Sequence, residues 1–303
     1  MTSSRTVHLI DASPYIFRAF FSLPESLKSR DGRPAGAVYG FASFLLKLVA
    51  DERPTHLGVA FDRSLTTSFR NRIYPPYKAQ RALPPPELEE QLRACEDVAA
   101  ALGAATFIDD LYEADDLIGT LVARLEARGH GAVVITSDKD LAQLVSERVT
   151  LYDFGKSLRL TPSEVEAKLG VRPDQVADLL GLAGDPVDNI PGVAGVGRKT
   201  AAALLAHFGH LEDLYARLLE VAKLKSIRGG VALAERLAVH RDLAFLSKEL
   251  ATVARDAPLT AGLDDLEYLG ADREAVDALF DRMGFGRIRA RVPFFREEKT
   301  ARA

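Results

Sequence analysis

Short apolar runs alternate with segments of helical period through the first half of this chain, and an acid stands at or just beyond the end of each run. The runs are VHLI before Asp11, HLGVAF before Asp62, AATFI before the acidic stretch that reaches Glu113, and GAVVIT before Ser137 and Asp138. Each reads as a buried strand. The stretches 36–51, 86–103 and 113–128 between them have helical spacing, so the pattern predicts an α/β unit with a mostly parallel sheet. The acids then fall at strand carboxyl ends, where an open α/β sheet has its ligand crevice. Nine carboxylates form the series: Asp11, Asp62, Glu113, Asp115, Asp116, Asp138, Asp140, Asp185 and Asp188. Such crowding suits a divalent-metal site, because carboxylates packed this closely do not all ionise cheaply without cations. Taken one at a time, the acids also have ordinary roles. Asp138 could cap the helix KDLAQLV, and Asp115 and Asp116 could favour the positive end of the helix they begin. Asp109 and Asp110 read as solvated turn residues.

At 303 residues the chain can hold a large and a smaller domain, and 47% apolar content supplies a core. The single cysteine, Cys95, rules out disulfides and thiolate metal sites. No signal peptide opens the chain and no apolar run approaches the ~18 residues of a membrane span. A soluble cytoplasmic protein, monomeric by default, is expected. The net charge of −4 argues against a generally basic nucleic-acid binder, but the distribution matters more than the sum. Between residues 63 and 86 lie Arg63, Arg70, Arg72, Lys78 and Arg81, no acid, and the interleaved Tyr74 and Tyr77. Phosphates and stacked bases would suit that segment, and so would plain solvation. Its bracketing prolines predict a long loop or short helical arch projecting from the sheet, about 63–88.

The run VTLYDF is also strand-like, and after it and a short turn a domain boundary is expected near 170. TPSEVEAKLG reads as a helix with Thr161 as cap, Pro162 at its first position and Gly170 at its end. From 171 to 303 the pattern is helical. Within it, GDPVDNIPGVAGVGRKTAAALL spans 184–205, and the glycines at 192, 195 and 197 precede an amphipathic helix beginning near Arg198. Free amides at such a helix start bind anions, and Lys199 and Thr200 add a cation and a hydroxyl. A nucleotide P-loop misses by one residue, because Arg198 separates Gly197 from Lys199, and the segment before it is helical rather than a strand. A dinucleotide fingerprint fails at Thr200, where the third glycine should stand. A helix, a Pro-Gly turn and a second helix instead describe a helix-hairpin-helix over 184–208, which holds a duplex by its phosphates.

LIDAS, AFD, YPPYKAQR, YEADDLIGTL, ITSDKDLAQLV and GDPVDNIPGVAGVGRKTA stand in the order and spacing of the 5′-to-3′ exonuclease and flap endonuclease family, which the chain resembles almost end to end. The resemblance implies an α/β nuclease core with a basic arch and a helical DNA-binding domain. It implies structure-selective hydrolysis of DNA carrying a 5′ flap, a nick or a 5′ end, with two divalent cations, Mg²⁺ or Mn²⁺, and no nucleotide cofactor. The nine carboxylates match the family's metal ligands, Lys78 and Arg81 its arch residues at the scissile phosphate. Arg70 would assist by phosphate contact and Tyr77 by base stacking. Gly192, Gly195, Gly197, Lys199 and Thr200 match the duplex-holding hairpin, which is compatible with a monovalent cation such as K⁺. Two departures stand out. SLTTSFR is less basic than the lysine-bearing arch entrance of polymerase-attached relatives, and no polymerase sequence follows the basic tail, so a stand-alone bacterial nuclease is expected. A flap-recognising DNA binder that barely cuts, or an RNA-directed nuclease on a similar core, remain alternatives.

Overall fold

A computed structural model describes residues 4–63, 67–81, 83–224 and 229–296 of the chain. The arch entrance at 64–66 and the end of the basic tail at 297–303 lie outside the described residues.

The apolar runs form the expected strands: β1 (Thr6–Asp11), β2 (Leu57–Asp62), β3 (Ala105–Asp109), β4 (Gly131–Ile135) and β5 (Val149–Asp153). They pair in parallel in the order β3-β2-β1-β4-β5, and a short β6 (Leu158–Leu160) closes the edge antiparallel to β5. β6 was not anticipated. Three residues are too few to show a period, and only the turn before it, with Ser157 at φ 51°, reverses the chain. Strand order reverses direction between β1 and β4, so the ends of those two strands bound the crevice.

Both faces of the sheet are covered, which is why the strands are nearly continuously apolar. Val7 and Leu9 face one core with the helix Ala114–Ala127 and with Leu179 and Leu250 from helices Val176–Ala183 and Arg241–Ala251. Ile10 faces the other core, built with helices Ser13–Ser22, Gly36–Glu52 and Pro86–Ala101. The second half of the chain does not stay together as one helical block. Its last part returns to this second face, where Val276, Phe280 and Phe285 are buried. Tyr268 N donates to Thr55 O at 2.8 Å and Asp272 N to Ala101 O at 2.9 Å. Thr161 and Gly170 bound the helix Pro162–Leu169 as read from sequence. Among the described residues no helix is long and apolar enough to cross a membrane.

The basic segment differs from the free-standing arch expected. Ser68 caps a short helix, Phe69–Ile73, and the turn that follows lies against residues 186–189 instead of projecting. On the other side of that contact, Asp185 and Ile190 exchange both backbone hydrogen bonds at 2.9 and 2.8 Å. Gly192 anchors this turn: its N–H donates to Ser247 Oγ at 2.9 Å, and its left-handed backbone (φ 63°) passes so near Gly184 that a Cβ would sit 2.3 Å from Gly184 N. Gly192→Ala combines a backbone clash with left-handed strain and should cost about 3 kcal/mol in denaturant titration. Wild-type stability in that variant would remove Gly192 from the role of anchor.

Candidate active site

Seven of the nine carboxylates, Asp11, Asp62, Glu113, Asp115, Asp138, Asp140 and Asp188, line one cavity of about 210 Å³ at the carboxyl edge of the sheet. Strand ends deliver the first two, the start of the helix Ala114–Ala127 the next two, and the turn after β4 Asp138 and Asp140. Asp188 arrives from the turn of the helical half. Lys78, Arg81, Arg70 and Tyr77 complete the wall.

Neighbouring groups orient the acids. Ser13 Oγ donates to Asp62 at 2.6 Å and Thr136 Oγ1 to Asp11 at 2.8 Å, while Ala114 N donates to Asp62 at 2.8 Å. Burial, then the adjacent Asp62 and Asp138, push Asp11 up to about 8. Burial and Asp138 push Asp140 up to about 7, and burial with Asp11 and Asp138 beside it raises Asp115 well above the usual carboxylate range. Burial and Asp188 raise Asp138. Glu113 behaves oppositely. Burial alone would raise it, but Lys78 and Arg70 together hold it low. The acids raised by burial and crowding are therefore Asp11, Asp115, Asp138 and Asp140, and no ion pair to them is seen among the described residues.

Cations meet Glu113, Asp185 and Asp188. Lys78 Nζ lies 2.9 Å from Glu113 and 3.9 Å from Asp188, and Arg81 pairs with Asp188. Asp185 is buried outside the cavity wall, between Lys139 at 3.4 Å and Arg198 at 3.5 Å. Arg198 is the residue that breaks P-loop spacing, and neither it nor Lys139 was singled out from sequence. Both sit in motifs that were read, beside Asp138 and Gly197, but spacing does not tell which way such a side chain turns. Among the described residues no three acids stand close enough to grip one ion as they lie. The donor set itself, hard carboxylate oxygens carrying excess charge in one small cavity, fits divalent cations.

Three assignments made from sequence are corrected. Asp116 is fully buried and does not line the cavity. Its oxygens accept from Arg70 Nη1 at 2.7 Å and Nη2 at 2.8 Å, from Ala254 N at 2.8 Å and from Glu113 N at 3.1 Å, which fills a carboxylate's capacity and leaves none for an ion. The ordinary helix-start role weighed for it is the observed one. Arg70 is not a phosphate contact. Only 3% exposed, it also donates to Leu250 O and Thr252 O, each at 2.8 Å, so it ties the arch base to the helical half. Tyr77 offers no ring for stacking, because it is buried with its hydroxyl 3.2 Å from Glu113. Asp109 is more than a solvated turn residue, since it accepts from Leu111 N at 2.7 Å and Tyr112 N at 3.0 Å and so shapes the approach to Glu113.

Away from the cavity, the helix Arg198–Phe208 begins at Gly197 with no side-chain cap and no acid in its first turn. Lys199 is exposed there and Thr200 half-buried. Gly195, at φ 75°, lies on the same surface under Arg236, whose Nη1 is 3.4 Å from Gly195 O. These amides and cations present a surface for anions.

Residues 6–170 match the model of the 5′-3′ exonuclease N-terminal resolvase-like domain, and residues 171–274 match that of the 5′-3′ exonuclease C-terminal SAM fold. The chain belongs to the 5′-3′ exonuclease family. It is 45% identical over 281 residues to DNA polymerase I of Geobacillus stearothermophilus, covering 91% of this chain and 31% of that protein. With DNA polymerase I of Mycobacterium leprae it shares 40% over 289 residues, covering 94% and 31%. The chain thus spans about a third of the length of these relatives. Among solved structures, T5 5′-exonuclease with bound zinc aligns with TM-score 0.66 at 19% identity, covering 92% of this chain and 100% of that one. The catalytic core of Rad2 in complex with DNA substrate aligns with TM-score 0.57 at 15% identity, covering 99% and 91%. These two likenesses establish the shared fold.

Two outcomes follow from the geometry. Arg70→Ala strands a buried carboxylate and should cost about 3–5 kcal/mol in chemical unfolding. A loss below about 1 kcal/mol would show that the pair is not a brace. Asp11 and Asp140 hold protons more tightly folded than unfolded, so their contribution to stability is present below the ordinary carboxylate range and lost as pH rises through about 7 to 8. In chelator the thermal midpoint should fall as pH rises over this span, and millimolar Mg²⁺ or Mn²⁺ should recover it. A midpoint indifferent to both pH and ion would contradict the charge assignment.

Proposed function

We propose that this chain is a metal-dependent 5′-to-3′ exonuclease and 5′-flap endonuclease that hydrolyses DNA phosphodiesters. The observation that carries this reading is the cavity at the sheet edge where seven carboxylates meet Lys78 and Arg81, with a phosphate-ready helix start on the adjoining helical half. The family membership and the 45% identity to the corresponding third of a DNA polymerase I support it.

In this reading Asp11, Asp62, Glu113, Asp115, Asp138, Asp140 and Asp188 would hold two divalent cations, Mg²⁺ or Mn²⁺, with Asp185 nearby. Bound there, such ions supply a low-pKa water and charge neutralisation at the scissile phosphate. Lys78 acts on the same phosphate. Its ammonium is stably charged, because Glu113 and Asp188 outweigh burial and raise it well above its ordinary value. As the phosphate enters, Lys78 exchanges Glu113 for it, and Arg81 releases Asp188 to guide the strand end. Ser13 and Thr136 keep Asp62 and Asp11 turned into the cavity. Gly195, Gly197, Lys199 and Thr200 hold the duplex by its backbone, which gives structure selection without base reading. A K⁺ ion at the hairpin would serve the same contact. The substrate class is DNA with a 5′ flap, nick or 5′ end, and the protein acts as a cytoplasmic monomer.

The test is cleavage of end-labelled 5′-flap DNA with Mg²⁺, with Mn²⁺ and with EDTA. Cutting near the junction is expected with either ion and none with EDTA. Lys78→Ala should slow the cut by about 10²-fold while retaining flap binding, in the range of losing one electrostatic stabiliser. Binding without cutting under both ions would replace this reading with a DNA-recognition module. Lys199→Ala should weaken duplex binding and lower its salt slope by about one unit, and an unchanged slope would remove Lys199 from the phosphate contacts.

A further inference from the structure

Lys78 and Asn189 both adopt left-handed backbone, at φ 54° and 56°, and they lie on opposite sides of one contact. Lys78 N donates to Asp188 O at 3.0 Å, and Asn189 Nδ2 donates to Pro76 O at 2.6 Å. Gln80 Nε2 adds bonds to Pro186 O and Val187 O, each at 2.9 Å. The two sides differ in rigidity. The turn carrying Asn189 is closed by the paired backbone bonds of Asp185 and Ile190 and anchored by Gly192 on Ser247. The arch side hangs from the five-residue helix Phe69–Ile73 and from Asn71, whose side chain donates to Tyr77 O at 3.0 Å. A left-handed lysine is unfavourable on its own and persists only where neighbours hold it.

We propose that Asn189 is a positioning residue for Lys78: its carboxamide clamps the Pro76 carbonyl two residues upstream and holds the lysine, in its left-handed conformation, over the carboxylates. Asparagine suits the place on two counts. It tolerates the left-handed region, and its short amide reaches a carbonyl that the backbone of its own turn does not. Because the clamp belongs to the helix-hairpin-helix turn, duplex engagement there and the placement of the lysine share one rigid piece. The proposal rests on the assignment of Lys78 to the scissile phosphate.

The experiment compares Asn189→Gly, which keeps left-handed backbone easy and removes the amide, with Asn189→Asp, which keeps the shape and removes the donor. Single-turnover cleavage of saturating 5′-flap DNA with Mg²⁺ is measured beside equilibrium binding of the same DNA in EDTA, each also in a Lys78→Ala background. Both variants should cut about 10-fold more slowly, the scale of a misplaced reacting group, with binding within about twofold of wild type. Neither should slow the Lys78→Ala protein further, because the lysine they position is gone; a merely structural role would lower that background as well. Wild-type cutting rates in the Asp and Gly variants, an equal loss in the Lys78→Ala background, or a loss of binding that accounts for the rate would overturn the proposal. Failure of the functional reading looks different, since wild-type protein would then not cut or Lys78→Ala would cut normally.

Discussion

Like charge gathered at one edge of the sheet is the constraint on which the rest of this structure depends. A parallel sheet places its strand ends side by side, so acids at the ends of β1 and β2 and just past β4 are brought together whatever chemistry they serve. Burial first, and the repulsion of neighbouring carboxylates second, raise Asp11, Asp115, Asp138 and Asp140. The fold tolerates this crowding by bringing in cations from three other places: Lys78 and Arg81 from the arch, Lys139 from the turn after β4, and Arg198 from the hairpin helix.

The buried pair of Arg70 and Asp116 has a different part. Shut off from solvent, it joins the arch base, the helix start that carries Glu113 and Asp115, and the carbonyls that end the helix Arg241–Ala251. Together with the contact of the arch turn on residues 186–189, it fixes the helical half against the sheet edge at two points on either side of the acids. The surface suited to phosphates and the cavity suited to ions are thereby parts of one framework. In the proposed reaction, that arrangement would let backbone contacts some distance from the acids define where a scissile bond can lie.

Much of this was legible from residues alone. Unbroken apolar runs and period-3.6 patterns located five strands and the helices between them, because both faces of the sheet are buried. The acids at strand ends were legible for the same reason. What the pattern does not carry is direction. YEADD shows three acids in four positions, but a helix turn sends Asp115 into the cavity and Asp116 into a buried ion pair, and their partner Arg70 lies 46 residues away from Asp116. The basic residues of the arch were read as one patch, whereas Arg70 and Tyr77 face inward. The three-residue β6 and the return of the chain to the second face from Tyr268 onward depend on tertiary packing, which local period does not report.

Whether the crowded acids take up divalent cations is decided by calorimetric titration of Mg²⁺ and Mn²⁺ in buffers of different ionisation enthalpy. About two ions should bind per chain, with protons released on binding near neutral pH because Asp11 and Asp140 are pushed up to about 8 and about 7. Asp11→Asn should lower both the ion count and the proton release. Absence of binding at millimolar ion, or binding that releases no protons and ignores Asp11, would contradict the account.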